Sequence, residues 1–249
     1  MKATIKIKEH LYTVNLSNPI DISIALRASE KNPEAWYLSP PTIKPVVLDN
    51  WVGSVQEGAS VNFNTITFNP HAHGTHTECV GHISKEFHAI SKTLDRFFFV
   101  AELISVAPEL KGEDEVISEK QIKALLKNKK PEALIIRTLP NTKDKKQRQY
   151  SHTNWPYLDH KAAQFLREIG VEHLLIDLPS VDKEKDDGAL LAHKAFWDYP
   201  KNPRLNATIT EFIYVRNRVK DGSFILNLQV ARFNNDAAPS RPVLYEIES

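Results

Sequence analysis

Four of the ten histidines in this 249-residue chain lie within twelve residues, in the segment HAHGTHTECVGH from His71 to His82. Glu78 stands inside the same segment. Imidazole nitrogens and carboxylate oxygens are the donors that zinc, manganese and iron accept. An even scatter of the histidines would place only about half a residue in such a window. The cluster therefore predicts a metal site.

Side chains two residues apart share one face of an extended backbone. His76, Glu78 and His82 would then project to one side of a strand, and Cys79 to the other. His71 and His73 precede Gly74, whose freedom at positive φ permits a tight turn that brings an earlier histidine back to the same point. The competing interpretation is a surface accident or a hydrogen-bonded polar network, and the presence of Gly74 and Glu78 favours the metal.

Two residues far from this segment are also candidates. Glu211 lies among apolar neighbours such as Ile209 and Ile213. An unpaired buried carboxylate costs several kcal/mol, so Glu211 needs a cation, an ion partner such as a nearby arginine, or protonation, and a metal would serve as well. His193 also has apolar neighbours, a setting in which a hydrogen-bonded core histidine is the ordinary interpretation.

The balance of charge excludes several kinds of partner. The chain has 32 Lys plus Arg and 31 Asp plus Glu, so no large net field attracts nucleic acid or an anionic membrane. A small neutral or mildly anionic substrate fits better. The basic run Lys143, Lys145, Lys146 and Arg148 is interrupted by Asp144 and predicts a solvated loop.

The chain also carries signals about its compartment. Cys79 is the single cysteine, so no internal disulfide forms, which suits a reducing compartment. The amino end lacks the apolar stretch of a secretory signal, and the longest apolar stretch, 97–107, is far shorter than the ~20 residues that cross a bilayer. We therefore expect a soluble cytoplasmic protein.

Periodicity predicts the elements that must position these residues. Alternating apolar residues predict an opening hairpin over 3–16. The segment 21–50 is rich in proline and polar residues, which predicts a long irregular loop. A strand over 61–68 leads into the histidines, and 208–215 with 224–231 predicts a late antiparallel pair. Between them, buried strands alternate with helices, as in α/β proteins: a strand at 97–106, a helix after Ser118 that ends before Pro131, a strand at 133–137, a helix at 159–169 and a strand at 173–177.

The histidine segment resembles the signature of the cyclase-like metal hydrolases, the family of bacterial kynurenine formamidase and isatin hydrolase. The family pattern is His-x-Gly-Thr-His-x-Asp-x-Pro-x-His, and this chain has Glu78 for the Asp and Val80 for the Pro. Four later segments follow in the family's order, so the resemblance covers roughly residues 60 to 245: Ile176 to Asp182, Ala192 to Lys194, Thr208 to Glu211 and Ala238 to Pro242.

The resemblance implies roles for individual residues. It makes His82 the residue of proton transfer. It also implies a set of metal ligands: His71, His76, Glu78, His193 and Glu211. The family pattern places the first histidine ligand four residues before His76, where this chain has an alanine, so a one-residue insertion relative to the pattern is required. His71 is preferred as this ligand because Pro70-His71 resembles the usual start of the motif, and His73 is the alternative.

The resemblance further implies a metal-dependent hydrolase of a small amide, aryl formamide, lactone or lactam, acting through a metal-activated water with one or two zinc or manganese ions. An arylformamidase-like activity leads because such substrates are the best represented among similar proteins. The alternatives are a non-catalytic metal or small-molecule binder on the same fold, and a lyase or cyclase. The implied architecture is α/β, a single-domain swivelling β/β/α fold with a mixed sheet over residues 1–249, assembled as a homodimer or homotetramer.

Overall fold

The computed structural model describes residues 1–248, which fold into a mixed α/β structure. Short helices connect its strands and cover one face of the main sheet. Their bounds are α1 Pro70–His73, α2 Ile90–Thr93, α3 Glu119–Leu126, α4 His160–Glu168 and α5 Leu191–Trp197, with 3-10 turns at Val55–Glu57, Val80–His82 and Lys143–Lys146.

The strands of the described residues are β1 Lys2–Ile7, β2 His10–Asn15, β3 Ile20–Asp21, β4 Thr42–Pro45, β5 Val47–Leu48, β6 Trp51–Val52, β7 Asn64–Thr67, β8 His76–Cys79, β9 Phe98–Val106, β10 Glu109–Lys111, β11 Asp114–Ile117, β12 Ala133–Thr138, β13 Tyr157–Leu158, β14 His173–Ile176, β15 Thr208–Glu211, β16 Gly222–Asn227, β17 Ala237–Pro239 and β18 Val243–Glu248.

A large mixed sheet organises the molecule and confirms the predicted α/β class. Its strand order is β1-β2-β18-β16-β9-β12-β14-β15-β8-β17, with β3 paired to β18. Strands β9, β12, β14 and β15 run parallel, whereas β8 is antiparallel to β15 and to β17. The register sets Glu211 opposite His76 and Ala237 opposite Glu78. The histidine strand is therefore held between two segments that lie much later in the chain.

The core divides between the two faces of this sheet. On β12, Leu134 and Ile136 pack on one face, and Ala133 and Ile135 pack on the other. This is the period-two alternation of a strand that is buried on both sides. Helices α3, α4 and α5 cover the first face with apolar residues such as Phe196. Apolar residues of β16 and β18 join the core of the second face.

The predicted helix ends are confirmed. Ser118 and Gln121 form a capping box at the start of α3. Asp159 caps α4 by accepting a hydrogen bond from the amide of Lys161. Gly170, with φ of 89°, follows α4 in the left-handed conformation that glycine adopts without a steric penalty. The hairpin of β1 and β2 and the strands predicted at 97–106, 133–137 and 173–177 are also confirmed, within one residue at most ends.

The predicted late antiparallel pair is wrong. Strand β15 lies between β14 and β8, whereas β16 lies between β9 and β18. Alternation identifies a strand, but the choice of its neighbour depends on the packing of the whole sheet. Strand β15 also ends at Glu211, because Phe212 turns into the left-handed region with φ of 55°. Ile213 therefore does not continue the strand face of Glu211.

The basic run at 143–148 is not a fully solvated loop. Lys145 is buried, and its ammonium donates to Asp177 at 2.8 Å and to the carbonyl and hydroxyl oxygens of Thr138 at 2.7 Å each. The spacing of the lysines does not indicate this pair, because Asp177 directly follows strand β14, far from Lys145 in the chain. The other three basic residues of the run are at least partly exposed, as predicted.

The segment 42–67 forms an apolar arm outside the main sheet. Strand β4 pairs with β7, and β5 pairs with β6. Many of its large side chains are exposed: Ile43, Val47, Leu48, Trp51, Val55, Val61, Phe63 and Ile66. Lys44, Asp49 and Glu57 are the charged residues of the arm.

No helix within residues 1–248 has the length and apolar character needed to cross a membrane.

Candidate metal centre

Local structure delivers each candidate ligand to one place. Asn69 caps the short helix α1 and accepts a hydrogen bond from the amide of His71 at 2.9 Å, with Pro70 in the first helical position. Strand β8 supplies His76 and Glu78, and the 3-10 turn after it supplies His82. Two more come from α5 and the end of β15: His193 and Glu211.

Glu78 lies at the centre of these residues and is fully buried. Its Oε2 atom is 3.0 Å from Nδ1 of His71, 3.9 Å from Nε2 of His76 and 3.8 Å from Nδ1 of His82. Its Oε1 atom is 3.1 Å from Nε2 of His193. One carboxylate therefore faces four imidazoles.

Glu211 closes the opposite side of the cluster. Its carboxylate oxygens lie 3.5 Å from Nε2 of His76 and 3.8 Å from Nε2 of His193. The backbone amide of Val181 donates to Oε1 of Glu211 at 2.9 Å and holds this side chain in place. The partners of Glu211 are thus two histidines and an amide.

Each of three histidines has its outer nitrogen engaged by an acceptor, so that its inner nitrogen points at the carboxylates. The outer contacts are His71 Nε2 to Asp236 at 2.8 Å, His76 Nδ1 to the Gly74 carbonyl at 3.0 Å, and His193 Nδ1 to Asp182 at 2.5 Å. Acceptors in these positions fix the tautomer and leave the inner nitrogen with a lone pair, as they do behind metal-bound histidines.

The inner atoms lack the partners that buried polar atoms normally have. Nδ1 of His71, Nε2 of His76 and Oε2 of Glu78 are buried without a hydrogen bond of good geometry. Three sets of donor atoms lie within 4.8 Å of one another: His71, His76 and Glu78; Glu78, His82 and His193; and His71, His82 and Asp236. Nitrogen and carboxylate donors at this spacing fit a divalent transition metal ion.

Electrostatics favour positive charge in the cluster. Burial raises the pKa of Glu78, but His82, His193 and His71 outweigh burial and hold that pKa well below its usual value. Burial lowers the pKa of His71, but Asp236 and Glu78 overcome this effect and raise it to about 10. The pKa of His193 is also raised well above its ordinary value, against burial, by Asp182 and Glu78. The carboxylates thus attract protons or, in their place, a metal cation.

His82 lies at the open side of the cluster. Its side chain is 30% exposed, whereas those of His76 and His193 are almost completely buried. Its ring stacks on that of His71, with centroids 4.2 Å apart and an angle of 26° between the planes. Solvent therefore reaches the cluster at His82.

The structure brings His71, rather than His73, to the cluster. Nδ1 of His73 accepts a hydrogen bond from the amide of Asn69 at 2.8 Å, and its ring lines an apolar cavity of about 120 Å³ beside His76. The remaining predicted residues converge as expected, although the extended segment ends at Cys79 and a 3-10 turn delivers His82. Cys79 points away, with its thiol near the carbonyl of His88 at 3.4 Å.

Two carboxylates of the site were not among the predicted residues. Asp182 lies behind His193, and Asp236 lies beside His71 and His82. Asp182 belongs to a segment of the family resemblance, which was the available signal. Asp236 lies two residues before the carboxyl-terminal segment of the resemblance, and a lone aspartate carries no pattern that identifies it.

Several solved structures are similar to the chain in fold. A structure described as a potential metal-dependent hydrolase with cyclase activity superposes with a TM-score of 0.68 at 16% identity, covering 93% of this chain and 99% of the other. Isatin hydrolase A from Labrenzia aggregata, bound to benzyl benzoate, superposes with a TM-score of 0.68 at 11% identity, covering 93% and 94%. An isatin hydrolase bound to the product analogue thioisatinate gives 0.64 at 14% identity, covering 92% of each chain.

Sequence comparison agrees with the fold. No curated protein matches the chain. The model of the Cyclase family, described as "Putative cyclase", matches residues 14–183, which is more than half of the chain. The matched range includes His71, His76, Glu78 and His82. The chain therefore belongs to the cyclase family.

Proposed function

We propose that this protein is a metal-dependent hydrolase of a small amide, aryl formamide, lactone or lactam. The observation that carries the proposal is the orientation of three histidines, each held at its outer nitrogen and directed with its inner nitrogen at Glu78 or Glu211. The names of the similar structures, which include isatin hydrolases, support hydrolysis as the class of reaction.

The proposed ligands are His71, His76, Glu78, His193 and Glu211, and they would hold one or two zinc or manganese ions. A bound divalent ion supplies a nucleophile at neutral pH by lowering the pKa of water to ~7, and it polarises the substrate carbonyl. The buried carboxylates and their hydrogen-bonded histidines keep the donors in place before substrate arrives. Such preorganisation reduces the reorganisation needed during the reaction.

His82 is the proposed residue of proton transfer. Its Nδ1 atom faces Glu78 at 3.8 Å and Asp236 at 3.5 Å, which leaves Nε2 for exchange of a proton with substrate. An imidazole accepts a proton from the attacking water and returns it to the leaving nitrogen or oxygen. Its partial exposure supports this role, because a proton-transfer group must be accessible to substrate.

Metal content tests the first part of the proposal. We expect one or two equivalents of zinc or manganese per chain by plasma mass spectrometry, in protein purified without chelator or a histidine tag. Glu211→Ala should lose this metal, whereas His10→Ala, a histidine of the amino-terminal hairpin outside the cluster, should retain it. An absence of metal after dialysis against both ions would contradict the proposal.

Activity tests the second part. The metal-loaded protein should hydrolyse at least one compound in a panel of N-formylanilines, lactams and lactones. His82→Ala should lower kcat by about 10²-fold or more while metal remains bound, because general acid–base catalysis contributes that much. The same kcat in this variant would remove His82 from the mechanism.

We also propose that the protein forms a homodimer or homotetramer and acts in the cytoplasm. The exposed apolar arm, 42–67, supports self-association, since exposed apolar patches commonly mark interaction surfaces and a two-stranded hairpin is marginally stable alone. The free thiol of Cys79 suits a reducing compartment. Sedimentation analysis of the protein and of Val47→Lys with Leu48→Lys tests the assembly; a monomeric parent protein would contradict it.

A further inference from the structure

Asp236 is placed by the backbone of the histidine strand itself. The amide of Cys79 donates to the carbonyl of Asp236 at 3.0 Å, and the next residue, Ala237, lies opposite Glu78 in the register of β8 and β17. The amide of Ile90 also donates to the carbonyl of Asn235 at 2.8 Å. The backbone that carries Asp236 is therefore fixed to the histidine strand.

One oxygen of Asp236 faces two histidines with different proposed roles. Oδ2 lies 2.8 Å from Nε2 of His71, a proposed metal ligand, and 3.5 Å from Nδ1 of His82, the proposed residue of proton transfer. The stacked rings of the two histidines explain how a single atom reaches both. Asp236 is itself 24% exposed, so it lies at the open side of the cluster.

We propose that Asp236 is a positioning residue that couples metal binding to proton transfer. It accepts the Nε2 proton of His71, so that Nδ1 keeps its lone pair for a metal. It also draws Nδ1 of His82 inward, so that Nε2 of His82 faces the substrate. This inference rests on the proposed hydrolase function.

The proton transfers of the hydrolysis balance with water and substrate as the only reactants. Water forms a bond to the carbonyl carbon and gives one proton to Nε2 of His82. The bond between that carbon and the leaving nitrogen or oxygen then breaks, and His82 transfers the proton to the leaving atom. Asp236 stays ionised throughout, as a carboxylate that orients a catalytic imidazole does.

Asp182 provides a matched comparison within the same site. Its carboxylate accepts a hydrogen bond from Nδ1 of His193 at 2.5 Å, as Asp236 does from His71. Asp182 also accepts the backbone amides of Ala192 and His193, at 2.7 and 3.1 Å, but it has no close contact with His82. Loss of Asp182 should therefore affect a metal ligand without affecting the orientation of His82.

The experiment compares Asp236→Asn with Asp182→Asn. Titration of cobalt(II) into the metal-free proteins, followed by absorption, should show affinity lowered about 10- to 100-fold in both, as for other residues behind metal ligands. Long-range ¹H–¹⁵N spectra of the zinc-loaded proteins should show a changed tautomer of His82 only in Asp236→Asn. Both replacements preserve side-chain size, and melting temperatures verify folding.

Kinetics add a double-mutant cycle with His82→Ala. At saturating metal, Asp236→Asn should lower kcat at least tenfold in the parent protein but not in the His82→Ala background. An equal loss of kcat in both backgrounds, an unchanged cobalt(II) affinity or an unchanged His82 tautomer would each overturn the proposal. If the parent protein hydrolyses nothing, the hydrolase function fails, while the spectra and the cobalt titration still decide the role of Asp236.

Discussion

Asp182 directs His193 into the candidate metal centre through a hydrogen bond of 2.5 Å between Oδ2 and Nδ1. The same carboxylate accepts two amides at the start of helix α5, so helix and ring are fixed together. Nε2 of His193 consequently faces Glu78 at 3.1 Å. Two acceptor atoms at this distance repel one another unless a proton or a metal cation accompanies them, which explains why the site requires positive charge.

Metal removal should destabilise the fold. A ligand present at a thousand times its Kd stabilises the native state by about 4 kcal/mol, and 1 kcal/mol corresponds to about 2–4 °C in a protein of this size. We therefore expect the melting temperature to fall by about 10 °C after a strong chelator is added. Calorimetry tests this expectation, and Glu211→Ala, which should already lack metal, serves as the control. Equal shifts in both proteins would indicate an unspecific effect of the chelator.

Glu78→Asp should weaken metal binding, even though aspartate is the residue of the family pattern. The carboxylate of Glu78 reaches His71 at 3.0 Å and His193 at 3.1 Å from a backbone position set by the pairing of β8 with β15 and β17. Removal of one methylene withdraws the carboxylate from both histidines. We expect cobalt(II) affinity to fall at least tenfold. An affinity equal to that of the parent protein would show that the backbone adjusts freely to the shorter side chain.

Gly81→Ala should destabilise the protein and displace His82. A Cβ atom at this position would lie 2.3 Å from the carbonyl oxygen of His88, and this neighbour is backbone rather than a flexible side chain. Overpacking of this kind costs about 1–3 kcal/mol. Urea unfolding should show this loss. Gly112→Ala is the comparison: an added Cβ there meets nothing within 4 Å, but φ of 69° strains an alanine, whereas Gly81 does not lie at positive φ, so the pair separates the clash from backbone strain.

Lys145→Met should be strongly destabilising, because it leaves the fully buried carboxylate of Asp177 without its ion partner. Removal of one member of a buried pair costs about 3–5 kcal/mol. The second replacement Asp177→Asn removes the uncompensated charge and keeps an acceptor for the amide of Thr138. The double variant should therefore regain much of the lost stability in urea unfolding. An additive loss would show that the two side chains act independently.

Stability should fall with acid through His173, which lies outside the metal centre. Burial lowers the pKa of His173 from 6.5 to about 3, with help from Arg96 and Arg204. Between these values the unfolded chain binds one more proton than the native state. The contribution of His173 to the free energy of unfolding is therefore fully present above pH 6.5. It is lost at about 1.4 kcal/mol per pH unit as the pH falls toward 3.

The measurement is the difference in unfolding free energy between the parent protein and His173→Asn at several pH values. Asparagine carries a polar atom on Cγ, in the place of Nδ1 of His173, which lies 2.8 Å from the hydroxyl of Thr208. The difference should decrease as the pH is lowered below 6.5. The other titratable groups are the same in both proteins, so their contributions cancel in this difference. A difference that is constant with pH would contradict the lowered pKa of His173.

Local signals in the chain were sufficient for several of the elements and for the histidine cluster. The capping box at Ser118 predicted the start of α3, and short runs of apolar residues predicted β9, β12 and β14. These signals work because a cap or a periodic face involves residues only a few positions apart. The close spacing of His76, Glu78 and His82 likewise made the candidate site visible, and the family resemblance extended it to His193 and Glu211.

Tertiary structure alone decided which segments meet. The pairing of β15 with β8, the position of Asp236 and the burial of Lys145 all depend on segments that lie far away in the chain. Residues so distant share no periodicity, because their contact results from the packing of the complete sheet rather than from any local preference. The sequence thus determined which residue types were available for metal chemistry, and the fold determined which of their atoms face one another.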